Sequence, residues 1–383
     1  MNQEELHSIL EKGIRAPSAD NLQPWKIQIK RRESLLPEAG STPWEIQLFL
    51  DTEKLSSFCD SGWLMPYLSM GAVIENIRVA AGALGYQTCV TYAADPENPS
   101  RVGCLTFNTA KTKGDPLNEC IQKRITNRKF YSWKRKIPEA LYDELQQTVT
   151  SQKGFRFFWI KHHEPAFEKL TKWIGDSDQI RFENERLHRE LMDVMRIEKK
   201  EVESSRDGLP LDALEAGTGS SLLFKWIRKW DHLKGMNQLG LSVLFNHYAR
   251  KQVESSQAVG LITAPTQRPE DYVRGGELMQ RVWLKITRDD FAMQPMEALP
   301  IFILNLQINQ GTDFNEKHKT KLEQLKKEFM SHFKLNEENG LIMLFRIGYT
   351  EFPPNTHSLR KPLSTFLVRD ETASHLNSGG HAA

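Results

Sequence analysis

The sequence predicts an α+β chain built from two related halves, and three observations lead there. Amphipathic or buried helices alternate with short strand-like runs from the first residues onward. At 383 residues the chain is long for one domain and natural for two. The order of a buried helix followed by a strand also returns about 205 residues later.

The first half reads in order as a helix at about 3–14, a polar loop, a strand at 25–30, a connection rich in Pro and Gly at 37–43 and a strand at 44–50. Gly71 to Tyr86 is small and apolar nearly all round, as suits a buried central helix. It runs into a strand at 87–92. A loop at 95–100 leads to a strand at 101–107, and Lys111 to Pro116 reads as a linker. In the later half, Gly276 to Ile286 reads as the matching helix, with Phe291–Met296 after it and the apolar strand 258–262 before it. Gly340 to Tyr349 is a further buried strand. Residues 175–255 form an insertion of helical character. Phe182–Glu203 is densely charged, and 221–250 is amphipathic with Phe224, Trp226, Trp230, Phe245 and Tyr248. These helices either pack on the core, cover a ligand pocket, or lie on a membrane surface.

Composition excludes several classes. With 39% hydrophobic and 26% charged residues the chain is ordinary globular material, and a formal charge of +2 sets up no field for nucleic acid. No apolar run of about 18 residues is present to span a membrane. The polar start Met1–Glu5 is unlike a signal peptide. Cys59, Cys89, Cys104 and Cys120 are scattered, so reduced core thiols in a cytoplasmic protein are expected rather than disulfides or zinc.

Two motifs carry chemistry. Arg15–Trp25 reads Arg-Ala-Pro-Ser-Ala-Asp-Asn-Leu-Gln-Pro-Trp, a turn-forming string with two amides, Asn21 and Gln23, each offering a donor and an acceptor to a flat polar ring. The alternative is a loop whose amides satisfy their own backbone. Arg124–Phe130 places two arginines around Thr126, and a guanidinium fork suits phosphate oxygens. The alternative there is a solvated basic patch. A strand-like segment is expected after it, to Ile137–Pro138.

Both strings resemble the nitroreductase-like, FMN-binding flavoproteins. The first is similar to that family's early Pro-Ser-x-x-Asn-x-Gln-Pro-Trp signature, and the second to its Arg-x-Ser-x-Arg-x-Phe element with Thr in place of Ser. The resemblance implies the nitroreductase-like fold: two fused halves, each with a central, mostly antiparallel sheet flanked by helices, as in the double-length, Acg-type branch. It implies that Pro17, Ser18, Ala19, Asn21 and Gln23 touch the flavin ring, and that Arg124, Ile125, Thr126 and Arg128 hold phosphate and ribityl. Ser358 and Arg360 would return to the phosphate, and Gln294, Pro295 and Met296 would lie at the ring edge, where a backbone N–H tunes the cofactor. A bulged strand at Pro295 is the alternative. The implied cofactor is FMN with NADH or NADPH as donor, and the implied acceptor is a small nitroaromatic or quinone. A storage protein that sequesters FMN beneath the insertion is the alternative function. Residues 1–115 and 116–370 would be the two halves, with a disordered tail at 371–383. One chain would mimic a family dimer, with further homodimerisation possible.

Overall fold

The computed structural model describes residues 1–32, 40–54, 62–93, 100–110, 114–217 and 219–368. Cys59, most of the 95–100 loop, part of the 37–43 connection, half of the 111–116 linker and the 371–383 tail lie outside the described residues.

The chain opens with α1 (Gln3–Gly13), started by an Asn2–Glu5 capping box. After the motif loop come β1 (Trp25–Arg31) and β2 (Ser41–Leu50), then the long helix α2 (Leu64–Ala83) and the hairpin pair β3 (Tyr86–Tyr92) and β4 (Arg101–Thr109). The one-turn α3 (Cys120–Lys123), α4 (Glu139–Thr150), β5 (Arg156–Lys161) and α5 (Pro165–Glu183) follow. The insertion holds α6 (Glu185–Val194), β6 (Met195–Arg196), α7 (Lys199–Ser205), β7 (Leu209–Pro210), α8 (Ser220–Ile227), α9 (Trp230–Gln238) and α10 (Leu241–Glu254). The chain then runs through β8 (Ala258–Ala264), α11 (Pro269–Arg288), β9 (Ala292–Pro295), α12 (Ala298–Asn309), α13 (Glu316–His332), β10 (Gly340–Gly348) and β11 (Leu367–Val368).

Two main sheets result, in the orders β11-β1-β2-β4-β3 and β5-β8-β10-β9, and β6 pairs with β7 in a small parallel sheet of its own. All pairings within the two main sheets are antiparallel except β1 with β11. That last strand belongs to the C-terminus yet completes the first sheet: Ile27 pairs with Leu367, and the Ile27 N–H donates to the Phe366 carbonyl at 2.8 Å. β8 and β10 are buried along their whole length, as central strands covered on both faces must be.

Between the sheets α2 crosses α11, and glycine lets the backbones touch. A Cβ on Gly71 would fall 1.9 Å from the Val273 carbonyl oxygen, and one on Gly276 would fall 2.0 Å from that of Leu68. The contact is reciprocal, because Val273 lies 205 positions after Leu68 and Gly276 lies 205 positions after Gly71. Polar pairs close the seam: Gln280 Nε2 donates to Asn76 Oδ1 at 2.7 Å, and Glu75 accepts from Arg78 and Arg281 at 2.5 Å each.

Three expectations need correction. Residues 131–137 form no strand; Ser132 makes a single bridge to Tyr349, and the chain turns into α4 at Pro138. The helix placed at 276–286 starts at Pro269, where a Pro at the first position with Glu270 and Asp271 beside it marks a helix N-terminus. Of the described cysteines only Cys120 is buried; Cys89 is exposed and Cys104 intermediate. No helix of the described residues is long and apolar enough to cross a membrane.

Candidate ligand site

The Arg15–Trp25 loop is held in a costly backbone shape. Asp20, Asn21 and Gln23 all take positive φ, at 46°, 56° and 55°. Such conformations cost a non-glycine residue about 1–3 kcal/mol each, so surrounding contacts must fix them. Ser18 Oγ closes the turn by accepting the Gln23 N–H at 3.0 Å. Arg360 Nη1 donates to Asn21 Oδ1 at 2.6 Å, and Asn21 Nδ2 donates to the Leu359 carbonyl at 3.1 Å. Gln23 reaches further: Nε2 donates to the Arg206 carbonyl at 2.8 Å, and Oε1 accepts the Lys361 N–H at 3.0 Å. The two amides thus fasten the loop to the C-terminal segment, and Gln23 also ties it to the insertion.

The second motif follows α3, with Arg124 as its C-cap. Thr126 bridges to Met293, and the Asn127 N–H donates to the Met293 carbonyl at 3.0 Å, so the motif lies beside β9. Arg124 Nη2 donates to the Arg15 carbonyl at 3.3 Å, and its guanidinium sits 4.5 Å from the centre of the Trp283 ring. The two motifs therefore meet through Arg15 and Arg124.

They enclose two adjoining cavities of about 280 and about 100 Å³ that share Pro17, Ser18, Asp20, Thr126 and Arg128. The larger is mostly apolar, with Met65 and Leu68 of α2 opposite Met279 and Trp283 of α11. The smaller is polar, and Arg15, Arg124, Arg128, Arg360 and His357 line it. Among the residues singled out from sequence, Pro17, Ser18, Ala19, Thr126, Arg128 and Pro295 line the larger cavity. Pro17, Ser18, Asn21, Arg124, Ile125, Thr126, Arg128, Ser358 and Arg360 line the smaller.

Three of the named residues lie outside both walls. Gln23 is committed as described. Gln294 turns its Oε1 to Arg346 at 2.7 Å, and the Met296 N–H is spent on the Leu344 carbonyl at 2.7 Å. One wall comes from the insertion: Arg181, Leu187, Glu190 and Leu191 face the larger cavity, and Leu209 and Ala213 the smaller.

The smaller cavity is strongly cationic. Burial pushes Arg124 down to about 9, with the Arg15 charge adding to it. Burial, then Arg124 and Arg15, pushes Arg360 well below the usual arginine range. Arg128 is pushed down to about 10 by burial, partly offset by Asp20. Guanidinium stays protonated in proteins, so these displacements express burial and like-charge repulsion that neutral acceptors, such as the Ala16 carbonyl at Arg360 Nη2, do not neutralise. Arg124 Nε and Arg360 Nε are buried without a hydrogen-bond partner. Buried charges are ordinarily paired; a cluster like this is complementary to an anion with several acceptor oxygens.

Sequence reasoning misses Asp20, Trp283 and Glu297, which line the larger cavity, and Arg346, which lies behind the second motif. Arg346 had a signal, a single charge within the apolar run Gly340–Gly348. It is fully buried, donates to the carbonyls of Gln252 at 2.8 Å and Lys129 at 2.7 Å, and lies 3.9 Å from the Tyr131 ring centre. It pins the Arg124–Phe130 segment to β10. Arg346→Leu strands those acceptors and is expected to lower unfolding free energy in urea by about 2–4 kcal/mol; a loss below about 0.5 kcal/mol would show the clamp to be dispensable.

No protein-family model matches the chain. Solved structures similar to it include the FMN-dependent nitroreductase NfnB from Mycobacterium smegmatis in complex with NADPH, at 14% identity and a TM-score of 0.35, covering 66% of this chain and 97% of that one. A "putative nitroreductase" from Anabaena variabilis is 11% identical with a TM-score of 0.39, covering 91% of this chain and 88% of that one. Among curated proteins, an uncharacterized protein of Mycobacterium tuberculosis is 23% identical over 359 residues, 92% of this chain and 47% of that protein. The "Putative NAD(P)H nitroreductase acg" of the same organism is 26% identical over 153 residues, 38% of this chain and 41% of that protein. The match thus spans less than half the length of each of these two relatives. The chain thus carries both sequence motifs at one site and is similar to acg over 38% of its length.

Proposed function

We propose that the chain binds FMN, with the phosphate on the arginine-lined cavity and the ring in the adjoining apolar one, and works as an FMN-dependent NAD(P)H oxidoreductase. The observation that carries this reading is the group of Arg15, Arg124, Arg128 and Arg360, of which Arg124 and Arg360 are buried with orphaned Nε atoms, beside an adjoining apolar cavity. An anionic tail joined to a flat apolar head fits that pair of compartments, and FMN has this shape. Bound there, FMN would supply two-electron chemistry between a nicotinamide donor and a small organic acceptor of nitroaromatic or quinone type. The residues themselves bind and orient. The arginines fix the phosphate, Pro17–Ala19 and Pro295 border the ring compartment, and the insertion excludes water from one side.

The reciprocal crossing of α2 and α11 at a 205-residue offset supports an internal duplication. The halves would be residues 1–115 and 116–370, with an insertion at about 175–255. One site per chain is then expected, because the Pro-Ser-x-x-Asn string occurs once. The insertion's place in the cavity wall also supports the second reading, an FMN-sequestering protein without turnover. Anaerobic mixing of the FMN-loaded protein with NADH or NADPH separates the two. Rapid bleaching of the flavin is expected for the oxidoreductase, and a persistent yellow colour would favour storage.

A further inference from the structure

Three carboxyls line the larger cavity, those of Asp20, Glu190 and Glu297, and the last has an oxygen with no hydrogen-bond partner. Glu297 is the residue after Met296, at the N-cap of α12, and it lines the cavity. Its Oε1 accepts the Leu344 N–H at 2.9 Å, while Oε2 is buried with no hydrogen-bond partner. Its near surroundings are apolar: Ala298, Ile301 and Phe302 of α12 and Met343 of β10 line the same cavity. The charged groups on that cavity are Asp20 from the motif loop, Arg128 from the second motif, Arg181 from α5 and Glu190 from α6. None of them is the source of its displacement. Burial alone pushes the carboxyl up to about 8, against the opposing pull of the Leu344 N–H. A buried carboxylate without a partner is costly, and the neutral acid with a free O–H is the form such a wall favours.

We infer that Glu297 acts as a neutral hydrogen-bond donor to an acceptor atom of the flat ring seated in the larger cavity, and that it makes ring binding pH-sensitive. The inference rests on the FMN reading above. It specifies the ligand chemistry of this wall: a ring edge bearing a carbonyl oxygen or an unprotonated ring nitrogen is accepted. A ring edge bearing only N–H groups, or a negative charge, is not. Deprotonation removes the donor and sets an anion against the acceptor lone pairs.

The test is a fluorescence titration of the purified chain with FMN from about pH 7 to about pH 8.5. The other displaced groups of the site stay out of that window. His357 lies below its usual value, and the guanidinium groups of Arg124 and Arg128 stay protonated throughout that window. If the protonated acid alone binds, a group at about 8 raises the Kd about fourfold across the window. Glu297→Gln retains an N–H donor and no longer titrates, so its Kd should stay flat. A flat wild-type profile, or a parallel rise in Glu297→Gln, overturns the inference and leaves FMN binding intact. No FMN binding at any pH overturns the functional reading, and this inference with it. Should the variant not fold, infrared spectra of the wild-type chain decide: a protonated carboxyl band that persists at about pH 7, is lost by about pH 9 and shifts on adding FMN is expected. Its absence at neutral pH overturns the inference.

Discussion

Arg124→Met weakens FMN binding by about 1.5–3 kcal/mol, the usual scale for losing a charge-assisted hydrogen bond, while leaving the ligand-free protein as stable as before or more so by up to about 1 kcal/mol. The two halves of this result come from one cause. Arg124 is buried beside Arg15 and Arg360 without a facing carboxylate, and burial with like charge holds it down to about 9. Methionine keeps much of the apolar stem against Trp283 and removes the repulsion; the cation–π contact at 4.5 Å and the bond to the Arg15 carbonyl are lost in exchange. Isothermal titration with FMN reads the first effect and urea unfolding of the ligand-free chain reads the second. Unchanged FMN affinity, or a ligand-free chain weakened by more than about 2 kcal/mol, would mean that Arg124 is a structural residue.

Gly71→Ala destabilises the chain by about 3–5 kcal/mol, and Gly276→Ala does so by a similar amount. Each new methyl would meet a carbonyl oxygen of the opposite helix at 1.9 or 2.0 Å, far inside contact distance. The obstacle is backbone and has no rotamer into which to retreat, so α2 and α11 must separate. That loosens the buried pairs Asn76–Gln280 and Glu75–Arg281 as well. Because both substitutions open one seam, the double variant should cost less than the sum of the singles. Both helices also line the larger cavity, through Met65, Leu68, Met279 and Trp283, so ligand affinity falls together with stability. A cost below about 1 kcal/mol in chemical denaturation would show that the seam yields easily.

Elements with strong local patterning were legible in the sequence. The all-round apolar run at 71–86 holds the core of α2 up to Ala83, with its last residue, Tyr86, opening β3; the runs at 258–262 and 340–349 hold the buried strands β8 and β10. What escaped depends on distant partners. β11 is two residues long and exists because β1 needs a neighbour along its outer edge, which no local pattern announces. The segment 131–137 alternates like a strand, but only Ser132 finds a pairing partner. The same limit applies to the site. Arg124 and Thr126 could be picked out by type and spacing, and they do face a cavity. Gln294 was picked out by its place after a helix, but a fully buried Arg346 claims its side chain from the neighbouring strand. Asn21 and Gln23 could be read as ring contacts or as loop staples. The structure uses both as staples while leaving Asn21 on the cavity wall. Glu297 is not legible in the sequence, because a single Glu after Met296 carries no pattern; its character comes from burial.

The central claim is that the arginine-lined cavity receives the phosphate of a flavin whose ring occupies the apolar one. Parallel fluorescence titrations of the chain with FMN and with riboflavin, which has the same ring and no phosphate, test it most directly. Two or more charge-assisted contacts to phosphate, at about 1.5–3 kcal/mol each, predict that FMN binds at least about 100-fold more tightly than riboflavin, and that Arg124→Met narrows the gap. Equal affinities for the two flavins, or no affinity for either, would contradict the account.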